Sequence, residues 1–286
     1  MISMKLCGVV VLFHPEEDVI ENIKTYIGEL DRLYIIDNSE ESHRDLFTMK
    51  KAKYIKNDEN MGIGFALNQA AQFANEEGYR YLLTMDQDSR FEAEGLKKMK
   101  EEISTGDYEN VAIFTPLHVT NSQSINHAIE TDQLVVMTSG NILDLNIFQE
   151  VGGMKDWFFI DGIDQEYCLN IRKHGYQIKV FDEIHLKHSL GNIGTKRLFG
   201  KTISFTNHSA MRRYFIVRNR LYINEMYQHD FPTFCKQELS NSRKEAIKIV
   251  LFEKDKWKKI SAIRRAHRDF KHKVTGIPTW LKEVLK

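Results

Sequence analysis

The sequence is poor in the features that mark secreted, membrane-spanning or extended chains. Only three of its 286 residues are cysteine, Cys7, Cys168 and Cys235, far apart and odd in number. They fit neither a disulfide framework nor a zinc cluster, and a reducing cytoplasm is the expected setting. Four prolines and 16 glycines exclude collagen-like and linker-dominated chains. No apolar run approaches the roughly 18 residues of a membrane span. Residues 1–13 lack a basic start and a small-residue cleavage site, so they read as a first strand and not as a signal peptide. Net charge is absent too, since 40 Lys+Arg face 40 Asp+Glu, but that balance hides a segregation. Residues 1–210 carry 21 basic and 32 acidic side chains, whereas residues 211–286 carry 19 and 8. Halves charged this differently are expected to have different neighbours.

Apolar content is ample: 42% hydrophobic and 11% aromatic, which argues for a folded core and against disorder. The length fits one large or two ordinary domains. The first hundred residues alternate strand and helix. Leu6–Phe13 is a β-branched apolar run, as in a strand buried on both faces. A helix is expected over Glu16–Leu30, strands over Leu33–Ile36 and Lys53–Lys56, a helix over Ile63–Glu77, and a strand from Tyr79 stopping at Asp86. This order implies βαβ units in an α/β fold with a mostly parallel sheet, whose ligands bind at the carboxyl ends of the strands. Further strands are expected over Val111–Pro116, Asp132–Thr138, Gln177–Phe181 and Glu183–His188, with a helix over Asp164–His174 closed by Gly175. From residue 206 the pattern is helical, through Tyr214–Tyr227, Lys236–Phe252 and Lys256–Lys273. The expected organisation is a catalytic domain over 1–205 and a basic helical extension over 206–286.

Five constellations could carry chemistry. Asp86-Gln87-Asp88 follows a buried strand, and two acids one residue apart on a turn can offer oxygens to one hard cation, Mg²⁺ or Mn²⁺; a solvated turn is the plain alternative. Asn60-Met-Gly62-Ile-Gly opens a helix whose free N–H groups suit an anion, although a simple turn would look the same. Its spacing departs from the G-x-G-x-x-G dinucleotide fingerprint, which counts against an NAD-dependent enzyme. Asp161-Gly-Ile-Asp164-Gln-Glu166 offers a general base, or else a helix cap. His188, at a strand end, can ligate a metal or hydrogen-bond phosphate, or be structural. Arg212, Arg213, Arg218 and Arg220 could neutralise a diphosphate or form the wet face of their helix.

Taken in order, Phe13-His-Pro15, Ile36-Asp37-Asn-Ser, Asn60-x-Gly-x-Gly-x-Ala-x-Asn68, Asp86-x-Asp88, Ile160-Asp-Gly-Ile-Asp164-x-Glu166-Tyr-Cys-Leu, Gly175-Tyr176, His188-x-Leu-Gly191 and Tyr214-x-x-x-Arg218-Asn219 form a pattern. It resembles glycosyltransferase family 2, and within it the bacterial rhamnosyltransferases, over about residues 5–225. The resemblance implies a GT-A fold, a nucleotide-diphosphate sugar donor, a divalent metal (Mg²⁺ or Mn²⁺) and inversion at the anomeric carbon. It places Pro15, with His14, beside the base, and Asp37 on the pyrimidine N3–H. It sets Asn60 and Gly62 near the nucleoside, and Asn68 in helix packing. Asp86 falls near the ribose or sugar, Asp88 on the metal, and His188 near metal and diphosphate. Asp164 falls on the catalytic base; the family's usual Glu-Asp pair is here Ile163-Asp164, which leaves Asp161 as the second acid.

The function implied is transfer of L-rhamnose from dTDP-rhamnose to a glycan or lipid-linked acceptor in cell-surface polysaccharide synthesis. A UDP-hexose donor stays open, since both bases present the same N3–H edge. A nucleotidyltransferase would need a Gly-rich basic loop after the first strand, where His14-Pro15-Glu16-Glu17 stands. A non-catalytic basic binding protein is the remaining class, but no nucleic-acid motif supports a nucleic-acid partner. In 236–286, Lys244, Lys248, Lys256, Lys258, Lys259, Arg264, Arg265, Arg268, Lys271 and Lys273 interleave with Ile247, Leu251, Trp257, Ile260, Ile263 and Phe270. That face fits plain solvation, an oligomer contact or peripheral attachment to anionic lipid on the inner side of the cell membrane.

Overall fold

A computed structural model describes residues 4–92, 94–120, 123–124, 134–188, 194–198 and 201–282. Compactness divides the chain into two units, one of residues 1–154 with 167–189 and one of 155–166 with 190–286. This division differs from the boundary expected after residue 205, because 155–166 and the described residues 194–198 and 201–205 associate with the helical segment in sequence-distant contacts described below.

The first unit is built on β1 (Leu6–Leu12), buried along nearly its whole length. Short helix α1 (Val19–Lys24) leads to β2 (Arg32–Asp37) and β3 (Ala52–Lys56); α2 (Ile63–Glu76) leads to β4 (Tyr81–Asp86). The order β3-β2-β1-β4 is parallel throughout. Gly8 is needed at the centre of β1: a Cβ there would lie 2.7 Å from Leu30 Cδ1. Beyond β4 come β5 (Ser89–Phe91), α3 (Gly95–Thr105), β6 (Val111–Thr120), β7 (Gln123–Ser124), β8 (Asn141–Asp144) and α4 (Leu145–Glu150). Helix α5 (Ile163–Lys173) and β9 (Gln177–His188) follow, and the sheet order continues β4-β8-β6-β9-β5. β6 and β9 run parallel, while β8 lies antiparallel to both β4 and β6. The longer ladders are therefore the parallel ones, as the sequence pattern implied.

Three expectations are corrected. The stripe over Glu16–Leu30 is not one helix. α1 stops at Lys24, where the Thr25 hydroxyl bonds back to Asn22 O at 2.7 Å, and only a 3-10 turn, Ile27–Glu29, follows. The described part of Asp132–Thr138 is not a strand. The strand is β8, entered through Gly140 at φ +80°, whose N–H donates to Thr84 O at 2.7 Å. Gln177–Phe181 and Glu183–His188 are one strand with a register break: Phe181 faces Pro116, but His185 faces Leu117. Pro116 has no N–H to continue the ladder there.

The second unit contains the hairpin β10 (Gly194–Leu198) and β11 (Lys201–Phe205), then α6 (Ala210–Tyr227), α7 (Pro232–Phe252), α8 (Lys256–Lys271) and α9 (Thr279–Lys282). Among the described residues no helix is long and apolar enough to cross a membrane. Tyr214, Phe215 and Val217 of α6 pack with Ala262 and Ala266 of α8 and with Leu281 of α9. Phe205 stacks on Phe252 at 6.1 Å, tying the hairpin to α7. The 155–166 segment is held by a side-chain pair on α6. Arg218 is fully buried; its guanidinium donates to Trp157 O at 3.0 Å and Phe158 O at 3.3 Å, and also to Gly276 O. Asn219 Nδ2 donates to Phe158, Ile160 and Asp161 carbonyls at 3.1, 2.9 and 2.7 Å, while its Oδ1 accepts from Arg218 at 2.9 and 3.1 Å. The rings of Tyr214 and Phe215 face the guanidinium at 5.5 and 4.9 Å. Burial lowers the Arg218 pKa, with the neighbouring tyrosines and Asp269 opposing. Removing such a donor leaves buried carbonyls unsatisfied. Arg218→Leu should therefore lower unfolding free energy by about 2–4 kcal/mol in urea titrations; a loss below about 0.5 kcal/mol, the range of ordinary surface changes, would contradict this role.

Candidate active site

The register of the parallel strands brings the predicted acids of the first unit to one edge. Leu12, the last residue of β1, faces Asp37, the last of β2, and Val11 faces Asp86, the last of β4. Phe13, His14 and Pro15 leave between them. Phe13 and His14 are exposed, with ring centroids 4.2 Å apart, and Pro15 is half-buried. His14 takes a left-handed φ of 47°, and its N–H donates to Ser39 Oγ at 2.9 Å.

Gln87 locks this edge, a role that sequence reasoning missed. Its side-chain Oε1 accepts from Phe13 N at 2.9 Å and its Nε2 donates to Phe13 O at 3.2 Å. Asn22 Nδ2 donates to Gln87 O at 3.0 Å, and Asp86 N donates to Ser139 Oγ at 3.0 Å. The residue between the two acids thus fixes their turn, leaving Asp86 and Asp88 half-buried. Only its position inside the D-x-D hinted at it.

Asp37 departs from expectation. It is fully buried, and both oxygens are engaged within the chain. Oδ1 accepts from Ser39 N at 2.8 Å; Oδ2 accepts from Tyr54 OH, lies 2.9 Å from His43 Nδ1, and accepts from His43 N at 3.3 Å. Burial pushes its pKa up, but hydrogen bonds from Ser39, Tyr54 and His43 outweigh that and hold it below the usual carboxylate range. Asp37 is placed here as the hub that shapes residues 39–43, not as an open acceptor for a base. His43, with about a quarter of its side chain exposed, is the outward member of the cluster. Asn38 continues the network: its Nδ2 donates to Gly62 O at 3.2 Å, and its Oδ1 accepts from Asn57 Nδ2 at 2.8 Å. Asn60 Oδ1 accepts from Gly62 N at 3.0 Å, and Gly62 holds φ +84° at the start of α2, a conformation that favours glycine. The Asn60-Gly62 loop is thereby tied to the end of β2. Asn68 has the packing role expected of it, exchanging two hydrogen bonds with Met154 at 2.8 and 3.0 Å.

A Mg²⁺ or Mn²⁺ ion bound along with a diphosphate needs only one or two carboxylates from the protein, the rest coming from phosphates and water. Asp86 and Asp88 are hard oxygen donors on one pinned turn and fit that demand. His188 lies at the end of β9, its backbone in register with Ser89, next to Asp88; its side chain is outside the described residues. Among the described residues no three His, Cys, Asp or Glu side chains gather as a metal cluster. A separate cleft of about 340 Å³ between α2 and α4, lined by Asn68, Ala71, Asn75, Phe148 and Gly153, holds none of the predicted donor residues.

In the second unit, Asp164 is half-buried in the first turn of α5, and its Oδ1 accepts from Gln165 N at 2.9 Å. Asp161, at φ +62°, is committed to Arg212, with contacts of 2.9–3.1 Å from Nε and Nη2. It is better placed to hold that turn than to serve as a second base. Glu166 is fully buried; its Oε1 accepts from Tyr227 OH at 2.6 Å, and its Oε2 has no hydrogen-bond partner among the described residues. Desolvation raises its pKa against the Tyr227 bond and Lys155. Arg218, expected at the donor, is corrected: its guanidinium is spent on backbone carbonyls as described above.

A sequence profile of glycosyl transferase family 2 matches residues 9–160. The chain belongs to this family. The dTDP-rhamnosyl transferase RfbF of Shigella flexneri is 27% identical over 247 residues, 76% of this chain and 79% of that one. Among solved structures, S. aureus TarS residues 1–349 in complex with UDP-GlcNAc matches with a TM-score of 0.63 at 12% identity, covering 92% of this chain and 80% of that one. A second TarS structure matches at 0.60 and 14%, covering 97% and 50%. GalNAc-T7 with UDP, GalNAc and Mn²⁺ matches at 0.53 and 14%, covering 69% and 44%. The chain thus spans half, or less, of the length of these last two. At such identities the likeness shows the fold alone, which is GT-A as the sequence motifs implied. Family 2 membership makes this chain a glycosyltransferase.

The Asp37 cluster yields a test. Because the folded pKa lies below the unfolded one, its contribution to stability is full above about pH 4 and is lost as pH falls through the folded value. Asp37→Asn should lower stability at pH 7 by about 1.5–3 kcal/mol, the range for hydrogen bonds to a charged group. The gap from wild type should narrow as denaturation is repeated toward pH 3. A gap independent of pH would remove the carboxylate's charge from the account.

Proposed function

We propose that this family 2 enzyme moves L-rhamnose from dTDP-rhamnose onto a hydroxyl of a glycan or lipid-linked acceptor, with inversion, in bacterial cell-surface polysaccharide synthesis. The observation that carries the reading is the pinned Asp86-Gln87-Asp88 turn beside Phe13–Pro15 at the carboxyl edge of the sheet, where such folds take their ligands. The donor sugar is supported by the name of the S. flexneri relative. A UDP-hexose remains the second reading, favoured by the UDP ligands named in the TarS and GalNAc-T7 structures.

In this reading the sheet unit takes the donor. The exposed Phe13–His14 pair and Pro15 flank the base, and the Asp37–His43 cluster and the Asn60-Gly62 loop shape the nucleoside side. Asp86 meets the ribose or sugar, Asp88 would hold the divalent metal, and His188 lies near metal and diphosphate. A bound Mg²⁺ or Mn²⁺ would supply charge compensation for the leaving diphosphate. Asp164 accepts the acceptor's proton as that oxygen bonds to the anomeric carbon. The bond from that carbon to the phosphate oxygen breaks, and the nucleoside diphosphate leaves with the electron pair. Attack opposite the leaving group inverts the centre. Asp161, neutralised by Arg212, positions the turn before α5.

Two variants test these roles. Asp164→Asn should lower kcat by about 10²–10⁴, the usual worth of a general base, while leaving dTDP-rhamnose binding within about twofold. Near-normal turnover by the folded variant would remove Asp164 from the base role. Asp88→Ala should weaken donor binding measured with Mn²⁺ by about tenfold or more and abolish its sensitivity to EDTA. Equal binding and rate in both proteins, with and without EDTA, would overturn the metal assignment.

A further inference from the structure

We propose that the corner where α7 meets α8 is a docking surface for bilayers containing anionic lipid. Six large hydrophobic side chains are strongly exposed among the described residues, and four of them belong to this corner: Ile247, Val250 and Leu251 at 60, 48 and 55%, and Trp257 at 84%. The first three are spaced i, i+3, i+4 near the end of α7, so they share one face. Trp257 sits in the first turn of α8, only three residues, Glu253–Asp255, separating the helices. The face is bare although α7 is already packed elsewhere: Ile249 is buried, Phe252 stacks on Phe205, and Lys248 Nζ donates to Ser204 O at 2.8 Å.

The charges around this patch are sorted by direction. The acids of the segment turn inward onto cations. Glu245 pairs with Arg213 and Arg220, both at 3.0 Å. Glu253, almost fully buried, pairs with Arg213 at 2.7 Å and Lys259 at 2.9 Å. Glu238 pairs with Arg220 at 2.9 Å, and Asp269 accepts from Tyr214 OH at 3.0 Å. Asp255 is the exposed acid left near the corner, while Lys244, Lys254, Lys256 and Lys258 all face solvent beside the apolar residues. This sorting also revises the sequence-based face: Lys259 is interior, Ile263 packs inward, and Phe270 meets Tyr222 at 5.0 Å.

Four large apolar side chains exposed at adjoining helix ends mark an interaction surface. Its occupant follows from charge. A second copy docking on the same patch about a two-fold axis would set these lysines against their own counterparts. An anionic headgroup layer instead neutralises them, while Trp257, flanked by Lys256 and Lys258, suits the interfacial depth and Ile247, Val250 and Leu251 reach the acyl boundary. Since no helix among the described residues can span, attachment at this corner is peripheral. The inference stands apart from the glycosyl-transfer reading, because vesicle binding is measured without nucleotide.

The test is co-sedimentation of the full chain with phosphatidylcholine vesicles lacking or containing about 30% phosphatidylglycerol. Binding is expected only with the anionic lipid and should weaken steeply as salt is raised. Leu251→Ser with Trp257→Ser, and separately Lys254→Glu with Lys256→Glu, should each weaken it about tenfold or more while leaving the thermal midpoint and glycosyl transfer to a soluble acceptor unchanged. Light scattering of the same proteins reads the alternative occupant. Absence of vesicle binding, binding undiminished in both variants, or a dimer that the Leu251/Trp257 variant dissolves would each overturn the proposal.

Discussion

β1 is the constraint on which the donor edge depends. Its side chains are buried on both faces, and both its edges are paired in parallel, to β2 and to β4. With both faces apolar, packing sets the register: a slip by one residue would put a side chain where Gly8 lets Leu30 approach the backbone, a Cβ at Gly8 lying 2.7 Å from Leu30 Cδ1. That register sets where Asp37 and Asp86 stop, and it delivers Phe13, His14 and Pro15 between them. Gln87 then converts an alignment of strands into a shaped edge by binding both backbone groups of Phe13. The acids are therefore positioned by a core that none of them belongs to.

The second unit follows a different logic. Its fixed points are buried cations rather than apolar strands. Arg218 and Asn219 satisfy the carbonyls of 157–161, the stretch that leads into the first turn of α5 and Asp164. Arg213, Arg220 and Lys259 bind the acids of α7 and its following turn. Burying these ions is expensive unless each is compensated: Arg213, Arg220 and Lys259 are paired with carboxylates, and Arg218 is held by carbonyl oxygens and two aromatic rings. The same pairing leaves Asp255 as the exposed acid beside the lysines of the α7–α8 corner among the described residues, so inner stability and outer charge are two aspects of one arrangement.

The strands and most helices were legible because buried parallel strands and amphipathic helices write their periods directly into the sequence. Asp86-x-Asp88 and the Asp161–Glu166 run were visible as clusters of acids at element ends. The failures have physical causes. The stripe over Glu16–Leu30 kept its period although Thr25 ended the helix by bonding to its own preceding turn, which periodicity does not see. β8 was misplaced because its identity depends on pairing with β4, a contact distant in sequence. Asp37 looked like an open acceptor because the donors that close it, His43 and Tyr54, come from a loop and the next strand. Arg218 looked like a ligand for phosphate because a buried guanidinium facing carbonyls and one facing solvent have the same sequence.

In the proposed function, the edge formed by Phe13–Pro15, Asp37, Asn60-Gly62 and Asp86–Asp88 receives a nucleotide sugar. The most direct measurement is the thermal midpoint of the chain with dTDP-rhamnose, UDP-hexoses and the free nucleotides, each with Mn²⁺ and with EDTA, since a ligand that binds only the folded state raises stability by RT ln(1+[L]/Kd). The midpoint should rise with dTDP-rhamnose, and more with Mn²⁺ than with EDTA. A midpoint unmoved by every nucleotide sugar at millimolar concentration, in a chain that unfolds cooperatively, would contradict it.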